Sequence, residues 1–196
     1  MKYCFLILFA FTIFSCEENK TTVTKDKEQS KIGEEQIKTI QPKYDFLKWE
    51  NVKINGEIPL ITNPSIVRKT LGKPDSISTK MAECGSFFQH DYKKLYTKGI
   101  EFEAAADSLV FRSIDFRKSD VFLGTANFKL DKNTTTEDLQ KYFPNSFNQK
   151  FEREIYGVGF VKIMHLNIND DYLGEENWTL FFDDKKLIRI EYWISC

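Results

Sequence analysis

One pattern constrains this chain more than any single motif: a short capped helical stretch followed by three strand-like runs, occurring twice. In "ITNPSIVRKTLGKPD", residues 61 to 75, Asn63 takes the N-cap position, Pro64 the first helical position, and Gly72 the place just past the end, with Pro74 beyond it. Ile66, Val67, Thr70 and Leu71 then fall on one face. In "LDKNTTTEDLQKYFPNS", residues 130 to 146, Thr134 and Glu137 have the spacing of a capping box, Leu139, Tyr142 and Phe143 form the apolar face, and Pro144 ends the helix. Each helix spans about two turns, so tertiary packing must hold it.

Strand-like sequence follows each helix. After the first come "CGSFFQHDY" (84 to 92), "KGIEFEAAA" (98 to 106) and "SLVFRSIDFR" (108 to 117). After the second come "GVGFVKIMHLNI" (157 to 168), "NWTLFFDD" (177 to 184) and "KKLIRIEYWISC" (185 to 196). The last run alternates, with Ile188, Ile190, Tyr192 and Ile194 on one side and Arg189, Glu191 and Trp193 on the other. Asp183, Asp184 and Lys185 mark a tight hairpin turn, and "EAAADSLVFRSI" occupies the same place in the first half. The expected fold is α+β: two tandem units, each a short helix followed by a three-stranded antiparallel meander, covering residues 44–124 and 125–196.

The residues ahead of these units set the compartment. Lys2 precedes an apolar run, Tyr3 to Phe14, with Ser15 just before Cys16. About a dozen apolar residues fall short of the roughly 20 that span a bilayer. The run resembles a bacterial lipoprotein signal peptide over residues 1–15, with Ile13-Phe14-Ser15-Cys16 as lipobox and Phe14 bulkier than usual there. The resemblance implies that Cys16 carries the lipid that anchors the mature chain, and several acyl chains hold a membrane far better than one. Residues 16–43 lack aromatics after the anchor and mix charges, as a flexible tether does. The expected location is the cell envelope, lipid-anchored to the outer membrane, with periplasmic and surface faces both open.

With Cys4 in the signal and Cys16 lipidated, Cys84 and Cys196 remain. In an oxidising compartment two thiols suggest one disulfide, the alternative being two buried free thiols. The chain has 28 basic and 29 acidic residues and no Arg/Lys stripe interleaved with aromatics, which argues against nucleic acid as a partner.

"VRKTLGKPDSIS" followed by "YTKGIEFEAAADSLVFRSIDF" resembles the helix, exit and hairpin of tandem-repeat β-lactamase-inhibitor-protein-like domains and of small outer-membrane assembly lipoproteins of SmpA/OmlA type. "TTTEDLQKYFPNS" with "WTLFFDDKKLIRIEYW" is similar to the same unit in uncharacterised lipoproteins of Bacteroidota. The resemblance implies a non-enzymatic binding module with a protein partner in the bacterial envelope, held at the membrane by its lipid, and with no cofactor. An inhibitor of an envelope or extracellular enzyme and an enzyme acting on envelope polymers are the rival readings.

Candidate sites are few. Ser86, His90 and Asp91 combine the residue types of a hydrolytic triad, but in one strand they would alternate between faces, and no G-x-S-x-G elbow occurs. His165, in "VKIMHLNI", reads as an edge-strand or a satisfied half-buried histidine. "NINDDYLGEEN", residues 167 to 177, gathers oxygen donors, yet Tyr172 stands where a calcium loop needs its glycine, so a solvated loop is expected and no metal site is assigned. No catalytic residue is assigned. Trp178 and Trp193 are the binding candidates, as rings on an exposed sheet, unless the segment around "YDFLKWENV" or a helix covers them.

Overall fold

Antiparallel ladders dominate the computed structural model, which describes residues 45–80, 85–170 and 175–196. Every described residue belongs to one unit, Ile40–Cys196. The expected signal peptide, the lipidated Cys16 and the tether lie outside the described residues.

After a 3-10 turn at Trp49–Asn51 come β1 (Lys53–Ile54), β2 (Ile58–Pro59), β3 (Ile61–Thr62), α1 (Pro64–Leu71) and β4 (Ser76–Ser78). Then follow β5 (Lys93–Thr97), β6 (Ile100–Ala105), β7 (Ser108–Asp115), β8 (Leu123–Gly124) and β9 (Lys129–Leu130). The remainder is α2 (Thr136–Gln140), α3 (Pro144–Asn148), β10 (Phe151–Ile155), β11 (Gly159–Asn167), β12 (Glu176–Asp183) and β13 (Lys186–Ile194). A nine-stranded sheet has the order β10-β11-β12-β13-β7-β6-β5-β4, with β3 also pairing β7, and a four-stranded sheet has the order β2-β1-β8-β9.

This overturns the α+β expectation of two helix-plus-meander units. The fold is mostly β, and the three α-helices among the described residues are only 8, 5 and 5 residues long. The halves do not close separately, because β13 pairs with β7 through Arg189↔Asp115, Ile190↔Ile114 and Glu191↔Ser113, merging both sets of strands into one sheet. Segment 84–92 is not a strand either. Its described part, from Gly85, is turn and bend, and the amides of Phe87 and Phe88 donate to a carboxylate oxygen of Glu103 at 2.9 and 3.1 Å instead of entering a ladder.

Local chemistry explains the elements that formed. Asn63 Oδ1 accepts from the Ser65 amide at 2.8 Å, Pro64 opens α1, and Gly72 closes it at a positive φ of 95°. Val67 and Leu71, four apart, are the side chains α1 buries. The second capping box lies one residue later than expected: Thr135 and Asp138 satisfy each other's backbone, while Thr134 accepts from the Asp131 amide. Pro144 opens α3 as well as closing the preceding stretch. Between β5 and β6, Lys98 and Gly99 both adopt positive φ, as a tight two-residue hairpin demands. A Cβ on Gly99 would come within 2.9 Å of the Asp115 carbonyl, so that turn is closed to other residues.

The core lies on one face of the large sheet. Phe102, Phe111, Ile114, Leu180, Phe182 and Ile190 pack there against Ile54, Ile58, Leu123 and Leu130 of the small sheet and Val67, Leu71 and Leu139 of the helices. The segment starting at Asp45 seals one end. Its Leu47 amide donates to the Asn167 carbonyl at 2.8 Å, the Asn167 amide returns a bond to the Asp45 carbonyl at 2.9 Å, and the Asp45 carboxylate accepts from the Ser146 amide.

Candidate functional site

The other face of the large sheet is open, and strand register lines up its side chains. One row runs His165↔Thr179↔Glu191↔Ser113↔Glu101↔Tyr96↔Ser76, with neighbours directly opposite across seven strands from β11 to β4. At about 4.8 Å per strand it extends roughly 29 Å. A parallel row carries Phe151, Ile163, Phe181, Arg189 and Asp115, and a third carries Asn167, Asn177 and Trp193. No single strand holds more than a fraction of this arrangement, so the sequence shows it only to a reader who already knows the pairing.

Among the described residues, three hollows on this face can be placed. The largest, about 520 Å³, lies between Asp75, Tyr96, Glu101, Ser113, Asp115 and Arg189. One of about 420 Å³ lies between Phe151 on β10 and Trp193 on β13, with His165, Asn177, Thr179 and Glu191 beneath. A smaller one, about 160 Å³, is lined by Ile155, Val161, Phe181 and Ile188. Ile188 is here because of a bulge: Phe182 pairs with Leu187 and Phe181 with Arg189, leaving Ile188 as the extra residue. It joins Val161 and Ile163 on the open face, which corrects the alternation that grouped it with Ile190 and Tyr192.

Charges on this face are largely matched. Glu191 pairs with Arg189, and Lys94 with Glu101 at 2.9 Å. Burial pushes the Glu191 carboxyl above the usual carboxylate range, with Arg189 drawing it back. His165 Nδ1 lies 3.1 Å from Asn177 Oδ1 and 3.2 Å from the Thr179 hydroxyl, which itself donates to Asn177 Oδ1 at 2.9 Å. Burial lowers the imidazole pKa below its ordinary value, and the Asn177 bond offsets part of that. The unfolded chain therefore takes up the proton first, so stability present above the unfolded value is lost as pH falls from there through the lowered folded value. Melting temperature is expected to fall between roughly pH 7 and 5, and a His165→Gln variant should flatten that slope. Glu191 acts with the opposite sign, its contribution being present at low pH and lost as pH rises, so the histidine effect is the difference between wild type and variant melts.

The expected site residues divide. Trp193 is exposed, at 44%, on the open face. Trp178 is fully buried: its ring stacks on Trp49 at 5.1 Å and its Nε1 donates to the Leu47 carbonyl at 2.8 Å, so it offers no surface to a partner. The segment "YDFLKWENV" is what covers it. Ser86, His90 and Asp91 sit in irregular and bent chain ahead of β5, with His90 and Asp91 exposed, rather than on a strand. Of the acidic loop, Asn167 and Asn177 are paired residues of β11 and β12, and residues 171–174 lie outside the described residues. Among the described residues no group of three or more His, Cys, Asp or Glu side chains could hold a metal. Cys196 is disulfide-bonded, while Cys84 lies outside the described residues. Among the described residues no helix is long and apolar enough to cross a membrane.

Among the described residues, the β10–β11 hairpin gathers several exposed apolar side chains at a sheet edge. β10 has a single neighbour, and Phe151, Tyr156, Val158 and Phe160 are all exposed on or beside it. Tyr156, Gly157 and Val158 form its tip, and the sequence signal for this projection, "IYGVGF", is a run of apolar residues broken by glycines. Comparison with protein-family models, with curated proteins and with solved structures finds no match.

Proposed function

We propose that this chain is a membrane-tethered, non-catalytic binding module of the bacterial envelope, and that it takes a protein partner along β10. The observation that carries the reading is the combination of an open sheet edge with exposed apolar side chains at Phe151, Tyr156, Val158 and Phe160. An edge strand offers unpaired backbone donors and acceptors to an extended segment, and the adjoining side chains supply apolar contact. Glu152, Arg153 and Glu154 occupy the middle of the edge, where their charges resist indiscriminate strand pairing and select a partner of matching charge. The lipid on Cys16 and the tether that follows would hold this edge near the bilayer.

The experiment is affinity capture from detergent-solubilised envelopes with the full chain, compared with a Tyr156→Ser/Phe160→Ser variant. A specific partner held by wild type and weakened at least about tenfold by the variant, with unchanged melting temperature, supports the reading. Equal capture by both would remove the hairpin from it. Mass spectrometry of the chain expressed in a bacterial host should find Cys16 acylated, and an unmodified Cys16 would remove the membrane tether.

A further inference from the structure

We propose that the hollow between Phe151 and Trp193 binds the uncharged pyranose rings of a neutral glycan. This goes beyond the protein-docking edge and concerns the flat of the sheet. There the backbone N–H and C=O groups of β11, β12 and β13 are already used in their ladders, so only side chains can recognise a ligand. An extended peptide would gain no main-chain bonds on such a floor. A ring with apolar C–H faces and peripheral hydroxyls needs none.

The side chains suit that ligand. Asn177 Oδ1 accepts from the Thr179 hydroxyl and lies against His165 Nδ1, which places the imidazole hydrogen on Nδ1 and a lone pair on Nε2. The Asn177 amide N–H₂ has no hydrogen-bond partner among the described residues, which leaves two donors beside the imidazole acceptor and the Glu191 carboxylate. These groups come from three adjacent strands and are spaced on the scale of one sugar ring. The Trp193 ring, 44% exposed, provides the flat apolar surface that a pyranose face covers, and Phe151 stands across the hollow. Glu191 is matched by Arg189, which leaves no unpaired carboxylate among the described residues lining the hollow to hold a cationic ligand, and the Arg153 guanidinium that lines it is a further donor to ring hydroxyls. A volume of about 420 Å³ falls within the range of small-ligand sites.

The test uses the full chain in a sugar-free detergent and reads iodide quenching of tryptophan fluorescence. Trp178 is buried and Trp49 packs against it, so the readily quenched component is Trp193. Maltohexaose, cellohexaose, chitohexaose and mannohexaose are titrated in turn. At least one is expected to protect Trp193 saturably with a Kd of about 1 mM or tighter. Trp193→Ala and Asn177→Ala, monitored by calorimetric titration, should weaken binding at least about tenfold, and Tyr156→Ser/Phe160→Ser should leave it unchanged. Protection by none of the four sugars overturns the proposal, as does binding that survives Asn177→Ala. Protection by a casein digest and not by sugars overturns it in favour of a peptide ligand. Wild-type quenching needs no variant to fold, and loss of partner capture by the hairpin variant would not bear on this result.

Discussion

Trp178→Ala is expected to destabilise the fold by about 3 to 5 kcal/mol, a large fraction of a typical domain's stability. The indole is wholly enclosed, with Trp49, Phe111 and Tyr192 around it at ring-centroid distances of 5.1, 6.1 and 6.2 Å. Truncation leaves a cavity and strips the Leu47 carbonyl of its buried donor. Trp178→Phe keeps most of the apolar volume and loses the hydrogen bond, so a smaller cost of about 1 to 2 kcal/mol is expected. Urea unfolding measures both. Amide exchange should locate the damage: Leu47 and Asn167, which bond across the seal, should lose protection before the amides of β12 and β13. Equal costs for the two variants would show that the hydrogen bond, not the packing, dominates.

Arg112→Met is expected to cost a similar amount, about 3 to 5 kcal/mol, for a different reason. Glu103 is 2% exposed, and its carboxylate is held by Arg112 Nε at 3.0 Å and by the amides of Phe87 and Phe88. Arg112 also donates to the Gly85 carbonyl at 2.6 Å, and its guanidinium lies 5.3 Å from the Tyr192 ring centroid. The pair thus fastens the segment from Gly85 to Phe88 onto the sheet. Removing the arginine strands a carboxylate in a dry site, whereas Glu103→Gln/Arg112→Met leaves an amide oxygen for the two N–H groups and no buried charge. The double variant is expected to recover more than half of the loss. No recovery would mean that the Gly85 contact carries the energy.

What was legible in the sequence is what depends on neighbours along the chain. Asn63, Pro64 and Gly72 delimit α1 through contacts within three or four residues, and the hairpin turns at Ala106–Asp107 and Asp184–Lys185 follow from local turn chemistry. The illegible part depends on distant partners. Strands of two residues, such as β1, β2 and β8, are too short to show alternation, although Asn55-Gly56, which take positive φ in the β1–β2 turn, form a dipeptide that could have signalled it. "CGSFFQHDY" looks like a strand until Glu103 claims its amides from 15 and 16 residues away. Thr134 and Thr135 compete for one capping role, and tertiary context chose the second. Of the open face, Trp193 was legible as an exposed ring because it alternates with buried neighbours, while for Trp178 exposure and cover by "YDFLKWENV" both stayed open until the long-range bond to Leu47 decided for cover. The Asn177–Thr179–His165 cluster needs β11 beside β12 before it exists.

The Leu47 carbonyl and the Trp178 indole are 131 positions apart, and the Asp45 and Ser146 groups that bond beside them are 101 apart. Loops that long lose their entropy before any contact rewards the closure, so refolding is expected on a scale of milliseconds to seconds rather than microseconds. Throughout that interval the strands around Trp178 lie uncapped, and dilute conditions during renaturation will decide how much of the chain reaches the native state instead of clumping.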